Sequence, residues 1–185
     1  MTGSGGDGSF TYALVSGSGS DDNASFTISG DTLLSAEVFQ YFVKNTYTIR
    51  ARAADGNSGS FEQPITISIL PLRYTQWKIA NFQTDANNPA VAGDTVDFDL
   101  DGTPNILEYA IGKSPTTQDM PGITVGVEGS VMRMDYSRSS SANDITVKAF
   151  WTTNLTDAGS WTDAGVTETM LSDDGTIQLL SLIHI

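Results

Sequence analysis

The sequence predicts a mainly β protein in which two strand-rich stretches flank a short segment containing a helix. Three observations predict it. Apolar and polar residues alternate over residues 9–69 and again over 122–180, the period of strands with one buried face. Gly, Ser, Asn and Asp cluster at 16–24, 54–60, 139–144 and 173–175, which marks turns between those strands. Between the two stretches the alternation gives way to helical spacing and an acid-rich loop. The expected organisation is a partial β-sandwich over 1–70, a connector over 71–120 and a second partial β-sandwich over 121–180.

The elements follow in order. Residues 9–15 place Phe10, Tyr12 and Leu14 on one face, and residues 25–28 pair Phe26 with Ile28. The clearest strand is 46–53, where Tyr47, Ile49, Ala51 and Ala53 face one way and Thr48, Arg50 and Arg52 the other. Ile65, Ile67 and Ile69 alternate with Thr66 and Ser68, and Pro71 ends that run. Tyr74 and Trp77 suggest a short helix over 74–82, followed by a polar loop from 83 to 96. Ile106, Leu107, Ala110 and Ile111 predict a helix that starts near Pro104 and stops at Gly112. Strands return at 122–127, 131–137, 145–151 and 176–180. Met132, Met134 and Tyr136 share one face; Ile145, Val147, Ala149 and Trp151 share another.

Composition narrows the function. Of 185 residues, 22 are Asp or Glu and 9 are Lys or Arg, a formal charge of -13. The acidity argues against nucleic acid, which calls for a basic stripe, and against a polybasic membrane-surface protein. The absence of Cys removes disulfides, Cys-ligated zinc, iron–sulfur clusters and thiol nucleophiles. No apolar run approaches the roughly 20 residues of a membrane-spanning helix. The chain carries no nucleophile elbow or phosphate-cradling loop. Glu37, Glu62, Glu128 and Glu168 have no spacing that singles out an acid/base pair. The expectation is therefore a binding or structural protein, not an enzyme. Trp151 and Trp161 are candidates for stacking on sugar rings, and equally for core packing.

The chemistry concentrates in residues 97–108, DFDLDGTPNILE, which fit the calcium-loop pattern D-x-[DN]-x-[DN]-G-x5-E. A calcium ion needs 6–8 oxygen donors wrapped around it by a short loop. Asp97, Asp99 and Asp101 offer carboxylates at positions 1, 3 and 5, and Gly102 at position 6 permits the sharp turn. Thr103 is expected to offer its backbone carbonyl, Asn105 to act through water, and Glu108 to bind through both oxygens. Asp94, Asp97, Asp99, Asp101 and Glu108 give five acids and no bases across 94–108. Ca2+ would remove their mutual repulsion and couple binding to local folding. The segment before the loop contains Pro89, so an isolated loop with an exit helix is expected rather than a paired sensor. Such extracellular modules bind at about 10⁻⁴ to 10⁻³ M.

Two resemblances follow from these residues. Ser9–Val15, Asn23–Leu33, Tyr47–Asp55 and Phe61–Ile69 together resemble a bacterial cadherin-like repeat. The resemblance implies a Greek-key sandwich, an extracellular setting and calcium at repeat junctions. Asp55 matches the family's calcium-binding Asp after the long strand, but the usual Asp-x-Glu pair falls on Gln40 and Phe42. Residues 95–115 look like the dockerin-type calcium-loop segment of large secreted bacterial surface proteins, with Trp77 before it and Trp151 and Trp161 after it.

These resemblances imply a calcium-binding fragment of a secreted or cell-surface adhesion protein, with homophilic or surface-glycan contacts. The alternative is a non-catalytic carbohydrate-binding or spacer appendage of an extracellular polysaccharide-degrading enzyme. Residues 1–9 lack the n-region and h-region of a signal peptide, and the chain is expected to be a fragment. The terminal LSLIHI resembles a translated sequencing adapter, so 181–185, with the single histidine His184, are set aside from the expected fold.

Overall fold

A computed structural model describes residues 10–120 and 122–184 of the chain. Ser9 of the first expected strand and the signal-peptide reading of 1–9 lie outside the described residues. The protein is mainly β, with antiparallel sheets and two short α-helices. It divides into two compact units, Met1–Leu70 and Pro71–Ile185.

In the first unit, β1 (Phe10–Leu14), β4 (Thr46–Asp55) and β5 (Ser60–Ser68) form a sheet in the order β1-β4-β5. A separate hairpin pairs β2 (Phe26–Ser29) with β3 (Thr32–Ser35). The alternation read from β4 is physical: Tyr47, Ile49 and Ala51 are buried, and Ile49 has no exposure at all (0%). The core gathers Phe26, Tyr47 and Ile49, with Leu14, Leu33, Phe39, Ile65, Ile67 and Ile69 packed around them. Phe26, Phe39 and Tyr47 form a ring trio with centroids 4.7–5.8 Å apart. Each large apolar side chain buried this way stabilises the fold by roughly 1.5–3 kcal/mol. Polar stitches hold the hairpin's approach: Asp22 accepts from the Thr48 amide at 2.8 Å, and Asn23 Oδ1 accepts from the Arg50 amide at 2.9 Å.

The second unit begins with α1 (Arg73–Phe82), and α2 (Asn105–Ile111) follows after an irregular stretch. Its strands β6 (Ile123–Glu128), β7 (Val131–Ser139), β8 (Val166–Asp173) and β9 (Ile177–His184) form one sheet in the order β6-β7-β9-β8. Tyr136, Leu180 and Leu182 make its core, supported by Ile123, Met134, Val147, Ala149 and Val166. Residues 181–184, set aside by the adapter resemblance, continue β9. No helix among the described residues is long and apolar enough to cross a membrane.

One expected strand is corrected. Residues 145–151 are irregular and join no ladder beyond a single bridge from Trp151 to Thr162. Their alternation seats Val147 and Ala149 on the core, but both edges of β7 are taken, by β6 and β9. Two strands, β3 and β8, were not anticipated by the alternation.

Candidate metal centre

The loop winds on itself because its own carboxylates cap its own amides. Asp97 accepts from the amides of Asp101 at 3.1 Å and Gly102 at 2.9 Å. Asp99 Oδ1 accepts from Asp101 N at 3.2 Å, and Asp101 Oδ1 accepts from Thr103 N at 2.7 Å. Two residues adopt left-handed backbone, Leu100 at φ 64° and Gly102 at φ 96°. For leucine this costs of order 1 kcal/mol, and for glycine almost nothing. The result brings one carboxylate oxygen each from Asp97, Asp99 and Asp101 within 4.8 Å of one another.

Glu108 enters from α2, which begins after Pro104 and ends at Gly112. The helix is anchored in the second unit. Ser137 Oγ donates to the Ile111 carbonyl at 2.8 Å, and the Tyr109 hydroxyl donates to the Ser141 carbonyl at 3.2 Å and to Asp144. Aromatic rings join α1, the loop and α2. Tyr109 lies 4.9 Å from Tyr74 and 5.6 Å from Trp77, Trp77 lies 6.0 Å from Phe82, and Phe82 lies 5.5 Å from Phe98. Helix α1 thus supports the loop through packing, although it stops at Phe82, well short of the loop.

Glu108 is fully buried (0% exposed), and neither carboxylate oxygen has a hydrogen-bond partner. Burial, and then the charges of Asp99, Asp101, Asp119 and Asp97, push its carboxyl up to about 8. Asp99 Oδ2 is likewise buried without a partner. A buried carboxylate normally has hydrogen bonds, an opposite charge or a metal. The aspartate trio offers oxygens of the kind a hard cation takes, and Glu108, though outside that close group, is acted on by the same charges. The aspartate oxygens could therefore hold a metal ion.

The remaining expected ligands sit as follows. Thr103 is buried, with its amide tied to Asp101. Asn105 is fully buried, and its Nδ2 donates to the carbonyls of Val91 at 3.0 Å and Gly93 at 2.9 Å. Its Oδ1 has no hydrogen-bond partner. Asp55 of the first unit accepts from the amides of Asn57 and Gly59, which makes it the brace of a turn. Trp151 donates its indole N–H to the Ala164 carbonyl at 2.8 Å, while Trp161 is half exposed.

Sequence reasoning missed Asp119, eleven positions after Glu108 and outside the twelve-residue pattern. Its amide donates to Asp101 Oδ2 at 3.2 Å. No spacing within the twelve-residue pattern could have found it. Comparison with family models, curated proteins and solved structures finds no match to this chain.

Proposed function

We propose that residues 97–108 bind a calcium ion that braces the second unit, in a non-catalytic part of a secreted or cell-surface adhesion protein. The observation that carries the metal reading is Glu108: a fully buried carboxylate with two unpartnered oxygens, within reach of the charges of the three aspartates whose oxygens lie close together. Holding that charge without a counter-ion is costly. A divalent cation converts the cost into binding energy that favours the folded loop. Asp97, Asp99, Asp101 and Glu108 would hold the ion by carboxylate oxygens, and Thr103 by its carbonyl.

The role is structural because the helix that carries Glu108 also carries Tyr109, Ala110 and Ile111, all buried in the unit. Ordering the loop therefore orders the packing of α2 against β7. Adhesion and an extracellular setting rest on the resemblances of residues 9–69 and 95–115, and on the millimolar calcium that suits modules of this affinity. Thermal unfolding in calcium and in excess chelator tests the brace, with near-ultraviolet dichroism of Trp77 and Tyr109 as the local reporter. Calcium-dependent self-association by sedimentation tests adhesion. Identical melting and identical spectra with and without calcium would remove the brace.

A further inference from the structure

We infer that Asp119 is a further ligand of the cation held by the 97–108 loop, so that residues 113–119 close over the ion as a strap. This rests on the calcium reading above and extends it beyond the twelve-residue pattern.

Several contacts place the strap on the loop. Asp119 N donates to Asp101 Oδ2 at 3.2 Å, so the residue is fixed beside one expected ligand. Gln118 Nε2 donates to the carbonyls of Asp99 and Leu100, which pins the strap at the left-handed turn. Pro115 is fully buried at the strap's other end. Asp119 Oδ1 is shielded from solvent and accepts no hydrogen bond; it has only an ion pair with Lys113 at 3.4 Å.

The acids alone would not make a site. Glu108 supplies the independent sign, because it is fully buried and unpartnered within reach of the charges of Asp99, Asp101, Asp119 and Asp97. The pattern also leaves room for another donor. Asn105, at the position where a ninth-residue ligand acts through water, is held through its Nδ2 by Val91 and Gly93 and keeps only its Oδ1 free of hydrogen bonds, so it adds no charge to the site. A carboxylate from the strap raises the acids around the ion from four to five, and higher ligand charge tightens calcium binding. Cation binding draws Asp119 away from Lys113, which is left free in solution.

The test uses the full chain, with calcium calorimetry and with terbium luminescence lifetimes in H2O and D2O, which count ion-bound waters. Asp119→Ala is expected to weaken calcium on the order of tenfold and to add one bound water. In the wild-type chain, saturating calcium is expected to raise acylation of Lys113 several-fold, a reading that needs no variant to fold. If the wild-type chain takes up neither ion, the calcium reading fails and the strap with it. If the wild-type chain binds, but Asp119→Ala changes neither affinity nor hydration, the strap ligand alone is overturned. Lys113 acylation indifferent to calcium overturns it as well.

Discussion

The side-chain amide of Asn105 donates to the Gly93 carbonyl at 2.9 Å, tying the first residue of α2 to the chain that precedes the 97–108 loop. The same nitrogen reaches the Val91 carbonyl at 3.0 Å. Gly93 is required there, since a Cβ would stand 2.3 Å from the Pro89 carbonyl oxygen.

Asn105→Asp separates motif from geometry. By the calcium-loop pattern an Asp at this position is welcome and should tighten binding. In this structure the new carboxylate would face two carbonyl oxygens in a buried place and could donate to neither. The substitution is expected to cost about 3 kcal/mol in urea unfolding with chelator present. Calcium affinity is expected to fall. A rise in affinity at unchanged stability would contradict the bracing role of the Nδ2 bonds.

Glu108 makes calcium binding depend on pH. A carboxyl whose folded value lies above its unfolded value favours folding while it is protonated. In chelator that contribution is complete below about 4.5 and is lost as pH rises through about 8. The ion takes the deprotonated form, so affinity rises from pH 6 to pH 9. Binding at pH 7 releases roughly one proton from this group. Calorimetry in buffers of differing ionisation enthalpy measures the proton directly. Zero release at pH 7 contradicts the buried, protonated Glu108.

Two glycines are predicted to fail differently. Gly112 ends α2 at φ 75°, and a Cβ there would lie 2.3 Å from Ile177 Cδ1. Gly112→Ala should destabilise the second unit by about 1–2 kcal/mol in both calcium and chelator. Gly102, at φ 96°, has no atom near its missing Cβ. Gly102→Ala should therefore act through loop geometry, weakening calcium more than it weakens folding in chelator. Paired melts and titrations of the two variants distinguish the effects.

In the first unit, Ile49→Ala removes a side chain with no exposure from the centre of the core. The expected loss is about 2–5 kcal/mol in chemical denaturation. A loss under 1 kcal/mol would mean that this core is not packed around β4.

The features visible in the sequence are those whose signal is local. Tyr47, Ile49 and Ala51 alternate because one face of β4 is buried, and the 97–108 loop stands out because its Asp and Gly residues fall at fixed spacings within twelve positions. The hairpin of β2 and β3 turns through Gly30 and Asp31, with Gly30 at φ 62°, a two-residue signal that the sparse apolar content of Thr32–Ser35 obscured. Strand β8 was invisible because it is exposed along nearly its whole length and has no buried alternation to read. Residues 145–151 misled for the opposite reason: they have the alternation, but Val147 and Ala149 reach the core by side-chain packing without joining a ladder. Asp119 reaches the loop only through tertiary folding, so no spacing in the chain announces it.

The most direct test is a calorimetric calcium titration of the wild-type chain beside Glu108→Gln, with thermal unfolding of both in calcium and in chelator. The wild-type chain should bind one ion at about 10⁻⁴ to 10⁻³ M and melt at a higher temperature with calcium. Glu108→Gln, which keeps the shape but loses the buried charge, should be at least as stable as wild type in chelator at pH 9 and should lose the response to calcium. Calcium binding of equal strength in both chains, or absence of a calcium effect on the wild type, would contradict a metal centre built on Glu108.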